Sequence, residues 1–236
     1  SSAASDVYKR QDAGIPLVGV TLLYHQGYAR QHIDSKGIQT ETFPEVDMES
    51  HLTKTDIVLE LELDGKPLFA YVWMAEILGQ SGHMVPVYFM DTRHPGNATE
   101  HQELSSRLYG GDDGVRIRQE YVLGVGGVQL FDHLDVELSG LHLNEGHCTF
   151  AMLELLKRGW SREQLAQRSL FTTHTPVPAG HDRFDWSLVE EVIADLLPTD
   201  AKELVRSAGD PEHGARCSMS HLAVSLSTSV NAVSKL

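Results

Sequence analysis

The sequence predicts an α/β fold whose later half is built on a largely parallel sheet. Three observations lead there. Short apolar runs rich in Val and Leu, such as Leu17 to Leu23 and Val85 to Met90, have the length and composition of buried strands. In the later half such runs alternate with helical patterns, as parallel strands joined by helical crossovers do. Two strings crowded with histidines, small residues and turn formers, HLNEGHCTF (His142 to Phe150) and FTTHTPVPAGHDRF (Phe171 to Phe184), stand where apolar runs end. Loops at such ends tend to carry ligand-binding groups on a rigid support.

Each element follows from its local pattern. Leu17 to Leu23 reads as a first buried strand, after which Tyr24 to Arg30 turns polar. Val58 to Leu63 alternates apolar and acidic residues, with Glu60 and Glu62 on one face. Asp64-Gly65 and then Leu68 to Trp73 complete a hairpin signal. Val85 to Met90 is the next strand. Glu103 to Leu108 is a short helix candidate and Arg116 to Leu134 a longer one. In the latter, Gly124, Gly126 and Gly127 each weaken the helix by about 1 kcal/mol relative to Ala, which implies that another backbone packs closely there. Cys148 to Arg158 carries an apolar stripe of Phe150, Met152, Leu153, Leu155 and Leu156. Ser161 with Gln164, and Ser187 with Glu190, have the spacing of capping boxes. Ser169 to Thr172 is a short strand running into His174. Pro198 stops the helix that ends at Leu196-Leu197, and Met219 to Leu236 continues as a helical pattern.

Composition bounds the function. The chain has 236 residues, room for one large domain or two small ones, and 41% apolar residues, as a packed core requires. Nineteen Lys and Arg against 33 Asp and Glu give a net charge of −14, which argues against nucleic acid or an anionic membrane as partner. An anionic small substrate stays compatible, because local cations or helix N-termini can overrule the global sign. Two distant cysteines, Cys148 and Cys217, suggest a reducing compartment, hence the cytoplasm. No apolar run approaches the roughly 20 residues of a membrane helix. Residues 1–11, ending DVYKRQ, read as a tail foreign to the fold. The terminal Ser234-Lys235-Leu236 has the form of a peroxisomal address, but the chain reads there as stopping inside a helical pattern, which is the better account.

The candidate site residues cluster in the two histidine strings. His142, Glu145 and His147 first suggest a metal site. Two histidines five apart on a helix point roughly 140° away from each other, however, so they could share an ion only from a loop. Asn144 and Glu145 also suit the start of a helix, Asn as cap and the carboxylate at the positive end. His147 fits a cap less well and suits a sugar hydroxyl. His174 and Thr175 sit beside Pro176 and Pro178, which hold the backbone rigid after a strand, where open α/β sheets bind ligands. The bland alternative is a stiff loop with a packed histidine. LYGGDD (Leu108 to Asp113) is a flexible acidic loop, and Arg116 and Arg118 beyond it read as a solvated helix face. No GxSxG elbow, phosphate-binding P-loop or dinucleotide fingerprint follows a strand.

HLNEGHCTFAMLELL and FTTHTPVPAGHDRF resemble the α-glucan (glycogen/maltodextrin) phosphorylases, especially the short bacterial and archaeal type. The resemblance extends in order over LVGVTLLYHQGYARQ, VPVYFMDT, LYGGDDGVRIRQEYVLGVGG and MSHLAVSLSTSVNAVSKL, nearly everything from Gly14 onward. It implies that residues 12–236 are part of the Rossmann-like N-terminal lobe of a two-lobed (GT-B type) glycosyltransferase, left incomplete. It implies attack of inorganic phosphate on an α-1,4-glucan to give α-glucose 1-phosphate, with pyridoxal phosphate as cofactor, and it allows a homodimer. His174 would then lie beside the reacting sugar, its carbonyl supporting the developing positive charge. Asn144, Glu145, His147 and Thr175 would line the substrate cleft, Asp112 and Asp113 would belong to a gating loop, and Tyr24 would follow the phosphate-binding glycines.

That glycine loop is missing from the sequence, and so is the lobe with the cofactor-bearing lysine. The resemblance therefore implies an enzyme fragment inactive by itself, with no cofactor-binding or metal-binding residue of its own. A related nucleotide-sugar glycosyltransferase would need a Lys-rich loop near the N-terminus, and none is seen. A glucan-binding or regulatory module would show exposed aromatic platforms at strand spacing, whereas Trp73, Trp160 and Trp186 fall on different elements.

Overall fold

A computed structural model describes residues 12–108, 110–194, 196–197, 199–209, 214 and 216–233. Residues 1–11, Pro198 and the end of the chain from residue 234 lie outside the described residues, and with them the expected tail, helix stop and terminal tripeptide. The chain divides into two compact units. Of the described residues, one unit takes in 12–62 and 67–116, the other 63–66 and 117–233.

The earlier unit is built on a four-stranded sheet. Its strands are β1 (Gly19–Leu22), β4 (Thr53–Leu63), β5 (Lys66–Leu78) and β6 (Met84–Asp91), in the order β1-β6-β5-β4. β1 runs parallel to β6, and β5 antiparallel to β6. The period of two places Leu59, Leu61 and Leu63 of β4 inside, while Val58, Glu60 and Glu62 stay exposed. Leu68, Ala70 and Val72 of β5 are buried on the same alternation. The expected hairpin is present: Asp64 and Gly65 have φ 57° and 67°, the two positive values a type I′ turn demands. A second hairpin, β2 (Arg30–Ile33) with β3 (Gln39–Thr42), is exposed throughout.

Behind β6 lies a buried polar knot. Asp91, 3% exposed, accepts from His25 Nε2 at 3.0 Å, Ser105 Oγ at 3.0 Å and the Arg93 N–H at 2.9 Å. Burial alone would raise its carboxyl pKa. The His25 ring, the Arg93 N–H and the Ser105 hydroxyl together hold it below its usual 3.8. The knot ties the end of β6 to the chain after β1 and to the turn Glu103–Ser105, which continues helix α1 (Thr99–Gln102). The expected helix over Glu103 to Leu108 is thus a short helix starting four residues earlier.

The later unit carries the parallel sheet. β7 (Leu141–Asn144), β8 (Ser169–Thr173) and β11 (Ser229–Ala232) pair in the order β11-β8-β7, all parallel. Helices α4 (Phe150–Lys157) and α5 (Arg162–Arg168) make the crossover from β7 to β8, as parallel strands require. Ser161 and Gln164 close the expected capping box of α5 with both reciprocal bonds. The second expected box is not formed. Helix α6 (Trp186–Ile193) starts at Trp186, so Ser187 lies inside its first turn and Asp185 takes the cap position. After α6 come α7 (Thr199–Gly209) and α8 (Met219–Ser225), with β9 (Arg183–Asp185) and β10 (Arg216–Ser218) paired antiparallel. The helical pattern expected over Met219 to Leu236 breaks at Ser225, and its later part becomes β11. Val230 there suits a strand, and pairing with β8 overrides the weak helical periodicity.

The long helix expected from Arg116 begins at Asp113. It runs as α2 (Asp113–Tyr121), a π-helical segment (Val122–Gly126) and α3 (Gly127–Leu134). The cause of its glycine is visible at Gly124. A Cβ there would stand 2.5 Å from the Phe150 Cβ and 2.6 Å from the Phe150 carbonyl carbon. α4 packs backbone to backbone against the π segment at this point. Tyr121 and Phe150 meet edge to face beside it, their ring centroids 5.7 Å apart. No described helix is long and apolar enough to cross a membrane.

Two outcomes test this account. Gly124→Ala gains about 1 kcal/mol of helix propensity but overpacks against Phe150 by about 1–3 kcal/mol. The net expected is a lower denaturation midpoint, and a raised one would contradict the close approach. Asp91→Asn is expected to cost about 1–3 kcal/mol at neutral pH. Because the Asp91 carboxyl is depressed, its contribution is complete above its ordinary value near 3.8 and fades as pH falls through the lower folded-state value. The variant should therefore lose stability less steeply than the parent protein below that point in an acid titration followed by circular dichroism.

Candidate functional site

The site grows from the carboxyl ends of β7 and β8, where parallel α/β sheets present ligand-binding groups. Asn144 pairs in register with Thr172, and the Glu145 N–H donates to the Thr172 carbonyl at 2.9 Å, extending the ladder by one residue. Glu145 then turns the chain with φ 71° and ψ 176°, a conformation otherwise kept for glycine. Gly146 follows because a Cβ there would stand 2.9 Å from the Ser220 amide nitrogen. The reversal aims two consecutive side chains at one residue of the neighbouring strand end. Asn144 Nδ2 lies 2.8 Å from His174 Nε2. Glu145 Oε1 accepts the His174 backbone N–H, and Glu145 Oε2 accepts from the Thr173 hydroxyl at 3.4 Å. A strained φ/ψ of this kind costs about 1–3 kcal/mol. A hydrogen bond to a carboxylate returns about 1.5–3 kcal/mol, enough to hold the turn.

This grip leaves two groups of His174 open. With the Asn144 amide donating, Nε2 is the acceptor and the ring hydrogen sits on Nδ1. Nδ1 is buried and has no hydrogen-bond partner among the described residues. Among the described residues the His174 carbonyl accepts no hydrogen bond. A buried donor without an acceptor costs about 1–3 kcal/mol, which a ligand oxygen would relieve. The arrangement can thus offer one donor and one acceptor, side by side and fixed, to a polyhydroxylated ligand.

His142, singled out in the sequence only as a metal candidate, completes the support with Thr172 and Asn231. His142 Nε2 and Thr172 Oγ1 are 2.7 Å apart, and Thr172 in turn bonds Asn231 Oδ1, a polar chain across all three parallel strands. The signal was strand parity. His142 and Asn144 share one face, as do Thr172 and His174, while Leu143 and Phe171, of opposite parity, face the core. The strings also converge at the start of α8. Thr149 Oγ1 donates to the Met219 carbonyl at 3.1 Å, the Met219 N–H to the Asp182 carbonyl at 3.1 Å, and His181 Nδ1 lies 2.9 Å from Ser220 Oγ.

The capping expected of Asn144 and Glu145 needs correction. Asn144 is the last residue of β7, and neither it nor Glu145 caps a helix through its side chain. Both instead hold His174. His142 and Glu145 direct these bonds at Thr172 and His174, and no group of three or more metal-ligating side chains occurs among the described residues. His147 sits half-buried in the turn Gly146–Cys148. Thr175 is half-buried with its methyl against Gly180, where a side chain would collide. Tyr24, Asp112 and Asp113 belong to the other unit. Asp112 caps α2, its carboxylate accepting the Val115 N–H at 3.0 Å, and Asp113 opens that helix. Gly111 precedes them with φ 86° because a Cβ would strike Val115. Arg118, read as solvated, is bonded to Asp64 at 2.7 Å and Glu191 at 2.8 Å, and the Asp64 bond raises its pKa further.

Among the described residues no lysine is placed as a pyridoxal phosphate linkage would need. It needs a buried lysine amine, and Lys36, Lys54, Lys66 and Lys157 are exposed, with Lys54 lying over the Tyr71 ring at 3.4 Å. Lys202 donates to the Ala194 carbonyl.

No protein-family model matches the chain. Curated relatives do. It is 33% identical over 251 residues to maltodextrin phosphorylase of Thermococcus litoralis, with 99% of this chain and 29% of that protein covered. It is 31% identical over 264 residues to glycogen phosphorylase of Mycobacterium tuberculosis, covering 99% of this chain and 30% of that protein. It is 33% identical over 253 residues to glycogen phosphorylase of Aquifex aeolicus, covering 98% and 36%. The match takes in most of residues 1–11 as well, and the chain spans about a third of the length of these relatives. Over practically its whole length the chain is related to one part of the glycogen and maltodextrin phosphorylases, which are glycosyltransferases.

Proposed function

We propose that this chain forms the glucan-facing wall of an α-1,4-glucan phosphorylase, as part of the N-terminal lobe of a two-lobed (GT-B type) glycosyltransferase. The observation that carries the reading is His174, held at its ring by Asn144 and at its backbone by Glu145, with a buried Nδ1 and a carbonyl left open. In the proposed reaction an oxygen of inorganic phosphate bonds to the anomeric carbon of the terminal glucose. The glycosidic bond breaks, the departing glucan oxygen takes a proton, and α-glucose 1-phosphate leaves. Positive charge builds on the sugar ring on the way, and a fixed carbonyl dipole such as that of His174 stabilises it without reorganising. The Nδ1–H fixes a sugar hydroxyl. Thr175 and His147 stand within a few residues of His174 and Asn144 and extend the wall.

The proton donor is assigned to no residue of this chain, and the cofactor to a part of the phosphorylase beyond the matched third. On this reading the 236 residues alone release no glucose 1-phosphate. The test is phosphate-dependent release of glucose 1-phosphate from a maltodextrin. The full-length protein is expected to give it, His174→Ala to lower kcat/KM about tenfold to a hundredfold, and the isolated chain to give none. Turnover by the isolated chain would overturn the assignment. Glucan binding by the full-length protein without phosphate-dependent turnover would favour a binding module. Product formed only with a nucleotide sugar would favour a synthase.

A further inference from the structure

The resemblance places Glu145 among residues that line the substrate cleft; the geometry points to a different role. We propose that Glu145 is a positioning residue, its carboxylate fixing the peptide of His174 so that the His174 carbonyl and Nδ1 are presented to the sugar. The inference rests on the reading of His174 as the residue facing the glucan.

Three observations carry it. Glu145 is 9% exposed, and both its carboxylate oxygens are taken, one by the His174 N–H and one by the Thr173 hydroxyl. Both oxygens are thus turned toward the end of β8. The two groups that meet the carboxylate are both donors, so an anion with acceptors on both oxygens matches the site better than an amide. Finally, the backbone of Glu145 stands at φ 71° and ψ 176°, where glycine fits without strain and a side chain does not. If the turn alone mattered, glycine would serve at 145 as it does at 146. The strained glutamate makes sense when the side chain does something that glycine cannot, and its carboxylate bonds run to His174 and to Thr173 just before it.

Glu145→Gly separates the two jobs, because it relieves the backbone and removes the carboxylate. Glu145→Gln is the conservative variant, keeping one acceptor for the His174 N–H. In the full-length protein, hydrogen exchange at the His174 amide is expected to accelerate about tenfold to a hundredfold in the glycine variant, with no loss of melting temperature. The glutamine variant should restore most of the protection. With maltodextrin and phosphate as substrates, kcat should fall together with kcat/KM while KM stays nearly constant, as for an interaction made only in the transition state. Unchanged exchange at His174 in the glycine variant would overturn the proposal. So would a raised KM at unchanged kcat, which is the mark of direct substrate contact. If the unsubstituted full-length protein turns over no glucan at all, the proposed function fails, and the exchange comparison still decides whether Glu145 holds His174.

Discussion

The pairing of β7 with β8 in parallel register is the constraint on which the site depends. It sets Asn144 opposite Thr172, so that the two strand ends stop within one residue of each other. A slip of one position would send His142, Asn144, Thr172 and His174 to the core face and bring Leu143 and Phe171 outward. Burying Leu143 and Phe171, both 2% exposed or less, therefore fixes the geometry of the polar residues between them. The core specifies the site through alternation alone.

The remainder of the later unit stabilises that register. α4 leaves β7 through a turn that needs glycine at 146, then lies backbone to backbone against the π segment at Gly124. The start of α8 receives bonds from Thr149, Asp182 and His181, so the loops after β7 and after β8 are tied to one helix terminus. Strain is concentrated at Glu145, one residue beyond regular structure. Glycans are bound by rigid arrays of neutral donors and acceptors, and such an array tolerates little thermal drift. A doubly gripped histidine meets that need. The chain spans about a third of the length of the glycogen and maltodextrin phosphorylases it matches.

By itself the sequence determined the elements whose signals are local. The Asp64-Gly65 hairpin, the Ser161–Gln164 box, the strands at β1, β6 and β8, and the helix at Phe150 follow from turn chemistry, capping and periodicity, which act over a few residues. It also marked two strings that the fold brings together, through Asn144, Glu145 and His174. What it left to the tertiary structure was every property that depends on a distant partner. Ser229–Ala232 became a strand because β8 offers an edge. Asp112 and Asp113 became a helix start, and Arg118 an ion-paired residue. The bond from the His174 N–H to Glu145 joins residues 29 apart, which only the folded register brings within reach. Local propensity is written in the chain, whereas the partner of a buried polar group is settled by packing, which closes one acceptor to the ligand and leaves another open.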